Sequence, residues 1–223
     1  MSSDKPEGAE AKKERLTARN TVSCSSCIAA SDRRFRPWLL DNAVRRLLSP
    51  PGKLVKEFAK EGQVVADLGS GSGFYSIPLG KKVGPKGRVY AVDFDERAIA
   101  RLEKKAAKAN LGEVIAAHVG SAADLHHIPE ASVDSVIANG LLCCMVDHAG
   151  ALSEIKRILK PEGRVYLSVA RIGRKEDPRY VGRVEWEEIL SGFRVIWRRD
   201  GLATRRAKVA KREIPLPAEL RAR

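Results

Sequence analysis

The chain has 223 residues, 43% of them hydrophobic and 31% charged, with a net charge of +13. That length and balance describe one globular domain with room for a single core, and exclude a fibrous or wholly disordered chain. Apolar runs are far short of the roughly 18–20 residues that span a membrane, and the opening MSSDKPEGAEAKKER has no apolar core, so neither a membrane span nor a secretory leader is expected.

Residues 1–30 are polar and small, and are expected to form a disordered tail, with residues 31–223 as a single domain. From Phe35 to Leu48 the apolar residues recur at helical spacing, which predicts an amphipathic helix that Pro50-Pro51-Gly52 ends. A short helix with Leu54, Val55 and Phe58 inward follows. Strands and helices then alternate. Val64–Leu68 reads as a strand and Phe74–Val83 as a helix. Arg88–Val92 is the second strand, and Asp95 can cap a helix through Ala107. Val114–His118 and Val133–Ala138 are the third and fourth strands. Asp147–Leu159 is a helix, and Pro161-Glu162-Gly163 turns into strand Arg164–Ala170. A short helix over Val184–Leu190 precedes strands Phe193–Arg199 and Thr204–Arg212, joined at Asp200-Gly201. The pattern predicts an α/β fold, a doubly wound sheet of about seven mostly parallel strands with helices on both faces and the last strand antiparallel.

Charge is unevenly placed. Residues 61–170 carry 13 cations and 13 anions, whereas 31–60 carry +5 and 171–223 carry +7. Basic flanks around a neutral centre suit an anionic partner, RNA included, or are a solvated surface. Among the flanking cations, Arg45 and Arg46 sit on the polar side of the first helix, and Arg205, Arg206, Lys208, Lys211 and Arg212 decorate the last strand.

The strongest chemical signal is VVADLGSGSG, residues 64–73. Asp67 ends the first strand, and Gly69, Gly71 and Gly73 follow at alternate positions. Such a turn lets a ligand approach the backbone, and its amides together with the next helix can hold a polar group. Asp93 ends the second strand 20 residues after Gly73, where a carboxylate can accept both ribose hydroxyls of a nucleoside.

Here the sequence resembles the Rossmann-like, class I S-adenosylmethionine-dependent methyltransferases. Their D-x-G-x-G-x-G motif matches at Asp67, Gly69, Gly71 and Gly73, and their acidic ribose residue at Asp93. Their adenine-side segment is similar to Gly120-Ser121-Ala122-Ala123-Asp124-Leu125, with Ser121 where the family usually has Asp. The resemblance implies S-adenosylmethionine as cofactor, held by Asp67, Gly69, Ser70, Gly71, Gly73, Asp93, Phe94, Ser121, Ala122 and Asn139. It implies a methyltransferase; four cysteines point to a cytoplasmic, reducing setting, the compact chain without a separate RNA-binding domain to a small-molecule acceptor, and the basic flanks to an RNA or protein acceptor as the alternative, with a catalytically silent cofactor-binding module as another. It also implies that residues 31–49, 139–148 and 171–190, with Trp38, Tyr180 and Trp186, shape the acceptor pocket.

Methyl transfer needs a base only when the nucleophile is protonated. His126, His127, Asp147 and His148 lie near the carboxyl ends of the strands and are the candidates. Asn139-Gly140 is not the N-P-P-Y run of exocyclic-amine methyltransferases, and no Pro-Cys pair is present. Cys24 and Cys27 make half of a zinc site, but the adjacent Cys143 and Cys144 are poorly spaced for the other half, so no metal is expected. Soft thiolates at Cys143 and Cys144 would instead suit arsenite, and arsenite methyltransferases are similar in the central motifs. Since the tail cannot bury an apolar face, a chain shortened to begin at Ser31 should melt within a degree or two of the full chain. A large loss of stability, or stoichiometric zinc lost with the tail, would show that Cys24 and Cys27 are structural.

Overall fold

The structure is a computed structural model that describes residues 50–170 and 176–211. Five helices and seven strands are described: α1 (Gly52–Phe58), β1 (Val64–Leu68), α2 (Ser76–Val83), β2 (Arg88–Asp93), α3 (Glu96–Lys108), β3 (Ile115–Val119), β4 (Val133–Asn139), α4 (His148–Ile158), β5 (Leu159–Ala170), α5 (Arg183–Ser191), β6 (Arg194–Asp200) and β7 (Thr204–Ala210). A 3-10 turn occupies Leu142–Cys144. The expected tail, the helix over Phe35–Leu48, and Arg212 lie outside the described residues.

The strands form one sheet in the order β3-β2-β1-β4-β5-β7-β6. β1 to β5 pair in parallel, and β7 runs antiparallel to both β5 and β6. The doubly wound sheet with an antiparallel last strand is therefore as expected. Its order reverses between β1 and β4, and open α/β sheets bind ligands outside the carboxyl ends of the strands at such a point.

Alternation along the strands divides the core in two. Val65, Val89, Ala91, Ile137 and Tyr166 face α1, α2 and α3, whose Phe58, Leu79 and Leu102 cover them. Ala66, Leu68, Val136, Val165, Leu167, Ala207 and Val209 face α4 and α5, covered by Ile155, Ile158, Trp186 and Ile189. Trp186 is wholly buried there. Lying in a segment expected to shape the acceptor pocket, it instead anchors α5 on the sheet.

Local chemistry sets the element ends. The Asp95 carboxylate accepts the Arg97 amide at the start of α3. Asn110, at φ 55°, turns the chain after that helix. α2 begins at Ser76, not at Phe74, because Gly71 and Gly73 still hold the chain in left-handed turns. β5 begins at Leu159, earlier than Arg164. Its register with β4 jumps from Val133↔Leu159 to Ser135↔Arg164, so Lys160–Gly163 bulge out of the ladder where a turn was expected. At Asp200-Gly201 the hairpin closes through the Gly201 amide, which donates to Thr204 O at 2.9 Å.

Most of the cations on or just after β7 do not decorate a surface. Arg205 is buried and donates to Val181 O at 2.9 Å. Lys208 is held by Glu57 of α1 at 2.6 Å. Lys211 donates to Leu159 O at 2.8 Å. Each was expected on the outside. Odd positions of β7 face α5, and even positions face α1, which draws these side chains inward.

Trp186 is the largest wholly buried side chain described. Trp186→Ala should destabilise the fold by about 3–5 kcal/mol in urea unfolding. A change below about 1 kcal/mol would mean α5 is not anchored there.

Candidate functional site

The turn after β1 is tied down at several points. The amides of Gly69 and Ser70 both donate to Val92 O of β2, at 2.9 and 3.1 Å. Gly69, Gly71 and Gly73 have φ of 74°, 53° and 89°, which only glycine adopts without strain. At Gly73 a Cβ would also come within 2.6 Å of Leu102 of α3. At Gly71 a Cβ would meet nothing within 4 Å, so this side of the turn is open. Buried Asp67 accepts the Ser76 hydroxyl at 2.6 Å, which joins the end of β1 to the first turn of α2. Lys105 of α3 braces the turn from below by donating to Ser72 O at 2.8 Å.

Asp93 lies against the open side. One carboxylate oxygen accepts the Gly71 amide at 2.8 Å and the other accepts the Asp95 amide at 2.9 Å. Burial pushes its carboxyl above the ordinary value, against the opposing pull of those two amides. Phe94, half-buried, follows it. The Gly120 amide donates to Asp93 O at 3.0 Å and brings Ser121 and Ala122 to the same edge. The Ser121 hydroxyl accepts the Ala123 amide at 3.1 Å. Asp124 is engaged by His126 at 2.7 Å, which holds its carboxyl below the ordinary range. On the other side, Asn139 ends β4. The Ser168 hydroxyl donates to Asn139 Oδ1 and accepts the Gly140 amide, both at 3.0 Å.

The chain brings together Asp67, Gly69, Ser70, Gly71, Gly73, Asp93, Phe94, Ser121, Ala122 and Asn139 along the carboxyl ends of β1, β2, β3 and β4. The Ser70 hydroxyl is buried there with no hydrogen-bond partner. An orphaned hydroxyl, a carboxylate and an open glycine backbone fit a polar nucleoside ligand with a carboxylate tail.

The candidate bases fare differently. Asp147 caps α4, accepting the Gly150 amide at 2.8 Å. His148 is buried with both ring nitrogens engaged, one with Glu185 of α5 at 2.6 Å and the other with Leu142 O and Met145 O at 2.7 and 2.9 Å. It clamps the segment after β4 to α5. His126 is exposed and bound to Asp124. His127 stacks on His118 with ring centres 3.8 Å apart. Sequence reasoning missed that stack, and also the Ser76 and Lys105 contacts. Each joins residues from different elements, and no local pattern marks them.

Fold and turn together define a nucleoside-cofactor domain of Rossmann-like architecture. Residues 59–190 match the family described as "Methyltransferase domain", and the chain belongs to that family, whose S-adenosylmethionine-dependent members share this fold. It is 36% identical over 108 residues to a demethylmenaquinone methyltransferase of Lactobacillus johnsonii, covering 48% of this chain and 43% of that one. It is 34% identical over 109 residues to an arsenite methyltransferase of Halobacterium salinarum, covering 48% and 27%. A solved S-adenosylmethionine-dependent methyltransferase of Aquifex aeolicus superposes with a TM-score of 0.67 at 28% identity, covering 79% of this chain and 98% of that one. The chain spans less than half the length of the curated relatives it matches. No described helix is long and apolar enough to cross a membrane.

Burial, the neighbouring His118 and His126 and the more distant Arg157 push His127 down from 6.5 to about 4, with Asp124 the opposing charge. His118 is lowered as well, mainly by burial. The His127 ring is therefore neutral in the fold at pH 6, while an unfolded chain takes up a proton there. The stack contributes stability that is present above pH 6.5 and lost as pH falls towards about 4. His127→Phe keeps the stacking and removes the titration, so its melting temperature should vary less than wild type's over that window. Identical pH profiles would show that the stack carries no such linkage.

Proposed function

We propose that the protein is a cytoplasmic S-adenosylmethionine-dependent methyltransferase whose acceptor is a small molecule. The observation that carries it is the open glycine turn facing Asp93, with the Ser70 hydroxyl buried and unpartnered beside it. Asp93 would accept the ribose hydroxyls, and Gly71 and Ser70 would line the turn where the ligand approaches the backbone. Phe94, Ser121 and Ala122 would bound the adenine side, and Asn139 the methionine side. Asp67 acts through Ser76 by holding the turn's exit. When bound, the cofactor supplies an electrophilic methyl group. The protein's part is to hold the acceptor atom in line at about 3–3.5 Å and to exclude water.

Support for a small acceptor comes from the relatives named for demethylmenaquinone. The β7 cations point the same way. Arg205, Lys208 and Lys211 are spent on internal partners, which weakens the case for a continuous phosphate-binding surface. Of the candidate bases, His148 and Asp147 have structural roles. Ser168 bonds Asn139, and beyond it Tyr166, whose phenol is pushed up by burial, bonds Ser168. An acceptor with a lone pair already available needs no base.

One observation favours a second acceptor class. The Cys143 and Cys144 thiols both donate to Gly140 O, at 3.3 and 3.1 Å, directly after Asn139. Two converging soft donors beside the methionine side suit arsenite.

Calorimetry with S-adenosylmethionine should show binding that Asp93→Ala weakens by about 1.5–3 kcal/mol. With label in the transferable methyl, cell extract separated into small-molecule, RNA and protein fractions should accept it in the small-molecule fraction. Label confined to RNA or protein would overturn the small acceptor. Arsenite methylation abolished by Cys143→Ser with Cys144→Ser would establish the second class, and arsenite left unmethylated by the native protein would dismiss it.

A further inference from the structure

Two rows of side chains cross β5, β7 and β6 on the face that carries α1. The register sets Tyr166 opposite Lys208 and Lys208 opposite Trp197. It sets Ser168 opposite Arg206 and Arg206 opposite Arg199. The first row is neutralised, because Glu57 pairs with Lys208, which also lies 5.1 Å over the Trp197 ring.

The second row is not neutralised by any described residue. Arg199 and Arg206 are exposed and face each other directly across the strand pair. Like charges placed so are destabilising. Among the described residues no carboxylate pairs with either, and Arg206 has only a 3.2 Å hydrogen bond to Thr204 Oγ1. Arg157, Arg179 and Arg198 each have a carboxylate partner. An uncompensated pair of guanidinium groups is a ready receptor for one oxyanion, which each fork can meet bidentately.

The same row runs inward to the cofactor side. Ser168 lies opposite Asn139 in the β4–β5 ladder and is hydrogen-bonded to it. Neighbouring strands are about 4.8 Å apart, so the Cα of Arg206 lies about 10 Å from that of Asn139, and that of Arg199 about 15 Å. A single-ring molecule with a substituent at each end spans that interval. Trp197, 40% exposed, stands on the same face two residues before Arg199 and offers an aromatic wall.

We propose that Arg199 and Arg206 bind the anionic group, a carboxylate or a phosphate, of the methyl acceptor, with Trp197 beside its ring. This rests on the small-molecule methyltransferase assignment above. The acceptor enters with its anion at the β7–β6 end and its nucleophile at the Asn139 end. A neutral apolar acceptor gains nothing from this pair.

The test uses the full chain with S-adenosylhomocysteine present, and phenyl phosphate, benzoate and benzyl alcohol as probes followed by tryptophan fluorescence. Phenyl phosphate and benzoate should bind and benzyl alcohol should not. The tighter of the two anions names the headgroup. Arg199→Ala with Arg206→Ala should weaken anion binding at least tenfold, while S-adenosylmethionine affinity by calorimetry stays within twofold. Trp197→Phe should remove the fluorescence change. The double variant should melt no lower than the native protein, because it relieves repulsion. Binding of neither anion, or binding unmoved by the double substitution, overturns the anion site while leaving cofactor binding intact. A native chain that does not bind S-adenosylmethionine overturns the methyltransferase assignment itself. A short RNA that outcompetes both probes and loses affinity in the double variant would make the pair a polyanion surface and overturn the small acceptor.

Discussion

The hydrogen bond from the Gly71 amide to Asp93 joins residues 22 apart in sequence, at 2.8 Å. It holds the carboxyl ends of β1 and β2 in fixed relation. The rest of the site depends on that relation. The Gly69 and Ser70 amides can reach Val92 O only because the turn folds back over β2. Its left-handed dihedrals admit only glycine without strain. Leu102 packs where a Gly73 side chain would stand, so α3 presses the turn in place. Asp67 and Ser76 fix its exit into α2. A rigid backbone edge results, with its open side at Gly71, and a carboxylate whose burial is opposed by two amides. Such preorganisation lowers the cost of ordering the site when a polar ligand arrives.

Net charge is a poor guide to surface potential in this molecule. The +7 carried by residues 171–223 suggests a broad basic face. Several of its cations are paired or buried in place. Arg205 feeds a backbone carbonyl in the interior, Lys208 closes an ion pair to α1, and Arg198 pairs with Glu187 of α5. The two ion pairs weaken the local field that a polyanion would feel, and burial takes Arg205 off the surface. On the α1-facing side of β7 and β6, two opposed arginines stand beside an exposed tryptophan, on a row that ends at Asn139. Small anions fit such a feature better than a phosphate chain does.

The segment after β4 is stiff for a similar reason. His148 bonds to two carbonyls of that segment and to Glu185 of α5, and Asp147 caps the helix that follows. Both side chains look chemical when read along the chain, and both are spent on shape. Cys143 and Cys144 turn towards Gly140 O in the same tight 3-10 turn. The segment after Asn139 is therefore held by contacts to α5 on the far face of the sheet. A stiff wall suits a reaction whose rate depends mainly on alignment.

Strand and helix positions, the glycine turn, the acid at the end of β2, the Asp95 cap and the closing hairpin were all legible in the sequence. Each is set by neighbouring residues, through periods of two and 3.6 or through the dihedral needs of a turn. The β5 start and the α2 start were misplaced by a few residues, because a bulge and a left-handed turn do not alter apolar spacing. What the sequence could not determine is which side chains meet. Ser168 with Asn139 depends on the β4–β5 register, His118 with His127 on how the segment after β3 folds back, and Lys208 with Glu57 and Arg206 with Arg199 on β7 entering between β5 and β6. That register is decided by the packing of two sheet faces against helices from distant parts of the chain. A shift of one residue would exchange every inward and outward side chain of the strand. Alternation along β7 groups Arg205 with Ala207 and Val209, and Arg206 with Lys208, and the tertiary structure put the first set in the interior and the second on the face that leads to Asn139.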